Sequence, residues 1–145
     1  MPTLQDAVAL GSRENFLVVV STLRADGSIQ SSVVNAGVLP HPVSGSDVLG
    51  LVTNGRAKLA NLRARPQIAV TFRAGWQWLT IEGRAQIVGD DDPMPGIDAE
   101  RLRVLRREVF TAAGGTHEDW TEYDRVMAAE RRAVVLITPT RIYSN

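Results

Sequence analysis

The sequence predicts a mainly β domain with added helices, folded as an antiparallel barrel, and three observations carry that expectation. Roughly six or seven short segments rich in Val, Ile and Thr follow one another along the chain. Tight-turn residues join several of them in hairpin order, and the helical patterns fall between them without the regular strand–helix alternation of a parallel sheet.

The elements follow in order. Leu4, Ala7 and Val8 share one face of a short N-terminal helix. Phe16 to Leu23 is short and β-branched and reads as a buried strand. Ala25-Asp26-Gly27-Ser28 supplies a hairpin turn, after which Ile29 to Leu39 returns as one second strand. Pro40, Pro42 and Gly45 mark a loop before the third strand, Val48 to Thr53. Gly55 to Ala64 is a short helix with Leu59 and Leu62 on one face, stopped ahead of Pro66. Gln67 to Phe72 is the fourth strand, and Arg73-Ala74-Gly75 turns into a fifth from Trp76 to Val88. Beyond Asp90-Asp91-Asp92-Pro93 and Gly96, helices are expected over Asp98 to Phe110 and Asp119 to Ala129. Ala133 to Thr138 and Arg141 to Ser144 close the chain as two strands around Pro139. No repeat or long linker interrupts this series, so residues 1–145 are read as a single domain.

Composition narrows the function. No apolar run approaches the ~20 residues of a membrane span, and the opening residues lack a signal-peptide pattern, so a cytoplasmic protein is expected. The 16 basic and 16 acidic residues balance, which argues against nucleic-acid or membrane partners. With no Cys there is no thiol catalysis or thiolate site, and His41 and His117 have no companions at metal-ligand spacing. No metal is expected. Of the 16 Lys and Arg residues, a single one, Lys58, is Lys.

That lysine lies in the most informative segment, Thr53-Asn54-Gly55-Arg56-Ala57-Lys58-Leu59-Ala60-Asn61-Leu62, where a strand gives way to a helix. Helix N-termini carry unsatisfied N–H groups that favour an anion. Gly55 allows a close approach, Arg56 can clamp phosphate oxygens, Lys58 adds a point charge and Thr53 a hydroxyl. The alternative is a plain Asn-Gly turn with two solvated cations, although basic residues in a first turn oppose the helix dipole. Lys58 is expected to face solvent when no ligand is bound.

Two weaker signals accompany it. In the fifth strand, alternation sets Leu79, Ile81, Ala85 and Ile87 against Trp76, Trp78, Thr80, Glu82 and Arg84. The tryptophans on the polar side call for cover, from a partner subunit, a planar ligand, or one of the late helices. In the second strand, Gln30, Ser31, Ser32, Val33, Val34 and Asn35 set small polar groups beside Val, which could hydrogen-bond the edge of a heterocycle. Arg101, Arg103, Arg106 and Arg107 read as a solvated helix face; the alternative is that some of them meet an acidic tail on a ligand.

These residues together resemble a family. Ser21 through Gln30 is similar to the first hairpin of the pyridoxamine 5'-phosphate oxidase-like, FMN-binding split-barrel proteins. Gly55 through Val70 resembles their phosphate-binding segment and following strand, and Trp76 through Gly83 their long fifth strand. His117-Glu118-Asp119-Trp120 and Arg141-Ile142-Tyr143 resemble the late part of the actinobacterial branch that uses the deazaflavin coenzyme F-420. The resemblance implies a split barrel forming a homodimer, with two cofactor sites in the interface. It implies that Arg56 and Lys58 hold the cofactor phosphate, supported by Thr53 and Asn61. Ser32, Val33, Val34 and Asn35 would flank the ring, and Trp76 or Trp78 would approach from the partner subunit. It implies an oxidoreductase that transfers hydride from F-420 to a small unsaturated or conjugated substrate. The alternatives are an FMN-dependent oxidoreductase or flavin reductase, and a non-catalytic flavin- or deazaflavin-binding protein. The ring performs the chemistry in such proteins, so no catalytic acid or base is named.

Overall fold

The computed structural model describes residues 1–145. Helix α1 (Leu4–Gly11) leads into strands β1 (Leu17–Leu23), β2 (Ile29–Asn35), β3 (Gly37–Pro40) and β4 (Asp47–Thr53). Helix α2 (Arg56–Ala64) precedes β5 (Gln67–Ala74) and β6 (Gln77–Val88), and helices α3 (Ala99–Ala112) and α4 (Trp120–Ala129) precede β7 (Ala133–Ser144). All seven strands join one antiparallel sheet in the order β2-β1-β5-β6-β7-β4-β3.

Local chemistry accounts for most boundaries. Thr3 caps α1 in a capping box with Asp6, and Asp98 and Asp119 cap α3 and α4 through their carboxylates. The first hairpin turns at Gly27, whose φ of 85° suits glycine, while Asp26 Oδ1 accepts from the Ser28 N–H at 2.9 Å.

Two strand assignments change. The stretch expected as one strand from Ile29 to Leu39 breaks at the buried Ala36, whose N–H donates to the Phe16 carbonyl. Its two halves, β2 and β3, form the opposite edges of the sheet, so one residue carries the chain from edge to edge. The sheet curls until β2 lies beside β4 without pairing to it, which makes a barrel split along that line. Conversely, the two strands expected around Pro139 are one, because β7 keeps its pairing with β6 on both sides of a one-residue bulge at Thr140, opposite the Glu82–Gly83 step. Gly83 is required there, since a Cβ would stand 2.5 Å from the Thr138 carbonyl oxygen.

Alternation then sorts the apolar side chains into two cores. Inside the barrel, Val18, Val20, Val70, Phe72, Leu79, Ile81, Leu49, Leu51, Val135 and Ile137 pack together, sealed by Ala7 of α1 and by Leu59 and Leu62 of α2. Outside it, α3 lays Leu102, Leu105 and Val109 on Leu39, Val48, Val88, Val134 and Leu136. The outer face of β1 and β2 stays open, and Leu17, Val19, Ile29 and Val33 are exposed on it. No helix is long and apolar enough to cross a membrane.

Candidate cofactor site

β4 ends on the buried Thr53, Asn54 and Gly55 turn the chain, and α2 starts at Arg56. Thr53 Oγ1 accepts from the Gly55 N–H at 3.1 Å and from Lys58 Nζ at 3.4 Å. Gly55 occupies the cap position of α2 and offers no side chain to the first-turn N–H groups, unlike the caps of the other three helices. The positive end of this helix is therefore open.

Lys58 is 5% exposed, not solvent-facing as the sequence led us to expect. Its side chain leans back along α2 toward Thr53, beneath the first turn of the helix. No carboxylate pairs with it, and burial alone lowers its pKa below the ordinary lysine value. A buried ammonium without an acid is costly to keep, so a group of this kind calls for an anion. Arg56, two residues earlier, is exposed and has no acidic partner in the chain.

Asn61 lies one turn further along the same face and is also buried. Its Nδ2 donates to Thr22 Oγ1 at 3.0 Å, and Thr22 Oγ1 donates to Gln30 Oε1 at 3.1 Å. This relay ties α2 to β1 and β2. Thr22 carries no local signal in the sequence, because its partners are made across elements, and Gln30, read there only as a polar group for a heterocycle, instead accepts from Thr22.

The residues of β2 divide between faces. Gln30, Ser32 and Val34 turn inward, and Val34 packs on the inner core. Ser32 Oγ is buried without a hydrogen-bond partner. Val33 projects outward and is 64% exposed, directly paired with Val19. Asn35 also lies on the outward side, where its Nδ2 donates to the Asn15 carbonyl at 2.8 Å. The strand therefore presents two flanks and not one surface.

The tryptophans lie elsewhere in the same chain. Trp76 belongs to the turn ahead of β6, not to the strand, and is almost fully exposed. Trp78 meets Tyr143 edge to face near the C-terminal end of β7. The α2 cradle adjoins the other end of β6, where Val88 pairs with Val134 beside the Thr53–Ala133 pair. Ten strand residues separate the two places, on the order of 30 Å along the chain. Neither late helix covers the tryptophans, since α3 packs over β3, β4 and β7.

The arginines of α3 are not a free cationic face. Arg103 and Arg107 both pair with Asp124 of α4, Arg101 pairs with Glu108, and Arg106 is buried with its Nε donating to the Arg132 carbonyl. Arg103 and Arg107 dock α4 against α3, Arg101 is paired within α3 and Arg106 meets Asp90, which leaves little charge for an acidic ligand tail.

The donors at the α2 corner fit a phosphate: an unpaired buried ammonium, an exposed guanidinium, an uncapped helix start and a threonine hydroxyl. A methyl at Gly55 would stand 3.4 Å from Thr53 Oγ1 and 3.8 Å from Lys58 Nζ, so the cap residue lies directly beside both groups.

Known proteins share this architecture. Solved structures similar to the chain include a conserved hypothetical protein from Mycobacterium tuberculosis, 21% identical, with a TM-score of 0.68 over 99% of this chain and 84% of that one. An F-420 reductase is 18% identical, with a TM-score of 0.59 over 90% of this chain and 91% of the other. A pyridoxamine 5'-phosphate oxidase-related, FMN-binding protein from Nostoc punctiforme is 11% identical, with a TM-score of 0.67 over 99% and 84%. At these identities the likeness is one of fold. The family model described as pyridoxamine 5'-phosphate oxidase matches residues 4–145. With nearly the whole sequence matched and a split antiparallel barrel beneath it, the chain belongs to the pyridoxamine 5'-phosphate oxidase family.

Proposed function

We propose that this protein binds a flavin-type cofactor by its phosphate at the start of α2 and acts as an oxidoreductase, with coenzyme F-420 as the first candidate. The observation that carries the reading is Lys58, a buried ammonium with no acid of its own. A phosphate supplies the missing negative charge, and Arg56 closes over its outer oxygens. Thr53 positions the ammonium, and Asn61 fixes the second turn of α2 on β1 through Thr22. Ser32 Oγ, on the inner side of β2, is buried without a hydrogen-bond partner.

When bound, the flavin or deazaflavin ring supplies hydride transfer to a small unsaturated or conjugated substrate. The chain's own residues anchor, orient and exclude water, and none is assigned as an acid or base. The exposed apolar row Leu17, Val19, Ile29 and Val33 supports a homodimer packed sheet to sheet, in which Trp76 or Trp78 of one subunit would reach the site of the other. A cytoplasmic location accords with that chemistry.

The likeness to an FMN-binding protein supports a second reading, an FMN-dependent oxidoreductase or flavin reductase. A carrier without turnover is the third, because fold alone does not decide activity. Absorbance titrations with F-420 and with FMN separate them. Tighter binding of F-420, followed by turnover of a conjugated acceptor, is the expected result. The reverse order of affinity moves the assignment to FMN, binding without turnover to a carrier, and no binding of either removes the phosphate cradle.

A further inference from the structure

Two cavities adjoin on the outer side of the split, at the end of β2, with volumes of about 270 and 220 Å³, and no residue of the phosphate cradle lines either. Asn35, Phe110 and Ala113 form their common wall. Val52, Tyr123 and Met127 add an apolar side to the larger one, and Asn15, Gly114 and Gly115 close the smaller. The space stays open because the loop after α3 brings no side chain to it. A Cβ at Gly114 would stand 2.6 Å from the Phe16 ring, and one at Gly115 2.5 Å from the Phe110 ring.

The polar groups here are few and oriented. Asn35 Nδ2 donates to the Asn15 carbonyl at 2.8 Å. A carbonyl can only accept, so the amide is held with its nitrogen toward Asn15 and its Oδ1 left as a free acceptor. The backbone that sets this carbonyl is left-handed at two successive residues, Asn15 and Phe16, each with a φ of 56°. Asparagine adopts that region readily and phenylalanine rarely. Two hydrogen bonds hold it, from the Phe16 N–H to the Gly11 carbonyl at 2.8 Å and from the Ala36 N–H to the Phe16 carbonyl at 3.1 Å. The Asn15 side chain is exposed, and its amide offers a donor to the same cavity as the Asn35 acceptor. Tyr123 and Arg132 add no free group. The Tyr123 hydroxyl donates to the Arg106 carbonyl at 3.0 Å, and Arg132 turns its Nη2 to Glu130 while its Nε is covered by protein.

We infer that this double cavity binds a planar heterocycle whose edge carries an N–H beside a carbonyl, the lactam or imide pattern. The N–H donates to Asn35 Oδ1, the carbonyl accepts from the Asn15 amide, and the ring lies among Phe110, Val52 and Met127. The two volumes together fall within the ligand-pocket range of about 300–1,000 Å³, which suits two or three fused rings. Two kinds of molecule present such an edge: the ring of a bound flavin-type cofactor, and a separate heterocycle taken as substrate. The recognition chemistry is the same for both and does not depend on the cradle.

Lumichrome, a fluorescent three-ring imide without a phosphate, and 1,3-dimethyllumichrome, which lacks both N–H groups, separate this recognition from anion binding. Fluorescence titrations into the purified protein are expected to show saturable lumichrome binding, about tenfold tighter than that of the dimethyl compound, the scale of one hydrogen bond lost in a site. That selectivity should vanish in Asn35→Leu. Asn15→Gly, which keeps the left-handed backbone, should weaken lumichrome binding by a smaller factor. Equal affinity for the two compounds, no saturable binding, or undiminished selectivity in Asn35→Leu would overturn the inference, and the wild-type comparison needs no variant to fold. FMN distinguishes the two sources: displacement of lumichrome by FMN identifies the cofactor ring as the occupant, and simultaneous binding a separate heterocycle. Lys58→Met should lose FMN affinity and still bind lumichrome, so failure of the cradle and failure of this site give different patterns.

Discussion

Lys58 Nζ and Thr53 Oγ1 stand 3.4 Å apart inside the barrel wall, and that hydroxyl is the sole hydrogen-bond partner of the ammonium. A neutral oxygen compensates a buried charge poorly. Lys58→Met, close in volume, should therefore stabilise the free protein by about 1–2 kcal/mol while weakening flavin binding by about 1.5–3 kcal/mol. Thermal melts and absorbance titrations read the two effects, which move in opposite directions only if the lysine is kept for a ligand. A destabilised variant with normal binding would contradict the assignment.

The same lysine sets a pH dependence. Burial lowers its folded pKa below the ordinary lysine value of 10.5, so the unfolded chain binds the proton more readily than the native one. Stability then rises with pH across the interval between the lowered pKa and 10.5. The difference in melting temperature between Lys58→Met and the parent should be largest below that interval and shrink through it. Inorganic phosphate, if it occupies the cradle, should narrow the gap at neutral pH.

Asp124 joins α4 to α3 through Arg103 and Arg107, and those hydrogen bonds hold its carboxyl below the usual aspartate value. Asp124→Asn should cost about 1 kcal/mol, the scale for a partly exposed charged pair. For a carboxyl with a lowered folded pKa, the contribution is complete above the unfolded value of 3.8 and fades as pH falls through the folded one. Denaturant melts at neutral and strongly acidic pH should show the gap between variant and parent closing at the acidic end.

Gly37 opens β3 directly against the end of α3, and a Cβ there would lie 2.1 Å from the Ala112 carbonyl oxygen. The obstacle is backbone and cannot rotate away. Gly37→Ala is expected to cost about 3 kcal/mol, at the upper end for overpacking, and to loosen α3 from the outer core. A melting temperature within a degree of the parent would show that the contact is slack.

Trp76 is bare and Trp78 is only partly covered, by Tyr143. The double substitution Trp76→Ala with Trp78→Ala should leave the monomer folded and weaken either dimerisation or ring binding. Sedimentation velocity and flavin titration report on these separately. An unchanged dimer with unchanged affinity would remove both tryptophans from the interface and from the site.

Much of this was legible in residue order, because the deciding forces act over a few neighbours. Asp26 and Gly27 mark the hairpin, Asp98 and Asp119 mark helix starts, and Thr53 through Asn61 sets around a helix N-terminus the residue types on which the proposed cradle rests. Alternation in β6 correctly separated Leu79 and Ile81 from Trp78 and Thr80, although Thr80 is nearly buried, its hydroxyl 2.8 Å from that of Thr71 across the strand pair.

What the tertiary structure alone decided are matters of sidedness and desolvation. Nothing in Ile29 to Leu39 marks Ala36 as a break, because the break exists to join two edges that meet only once the sheet has curled. Lys58 is buried, Asp124 captures Arg103 and Arg107, and Ser32 and Arg132 keep unpaired donors, each through elements distant in sequence. Local propensity is written within a turn or two of chain, whereas the loss of water around a charge depends on every element that closes over it.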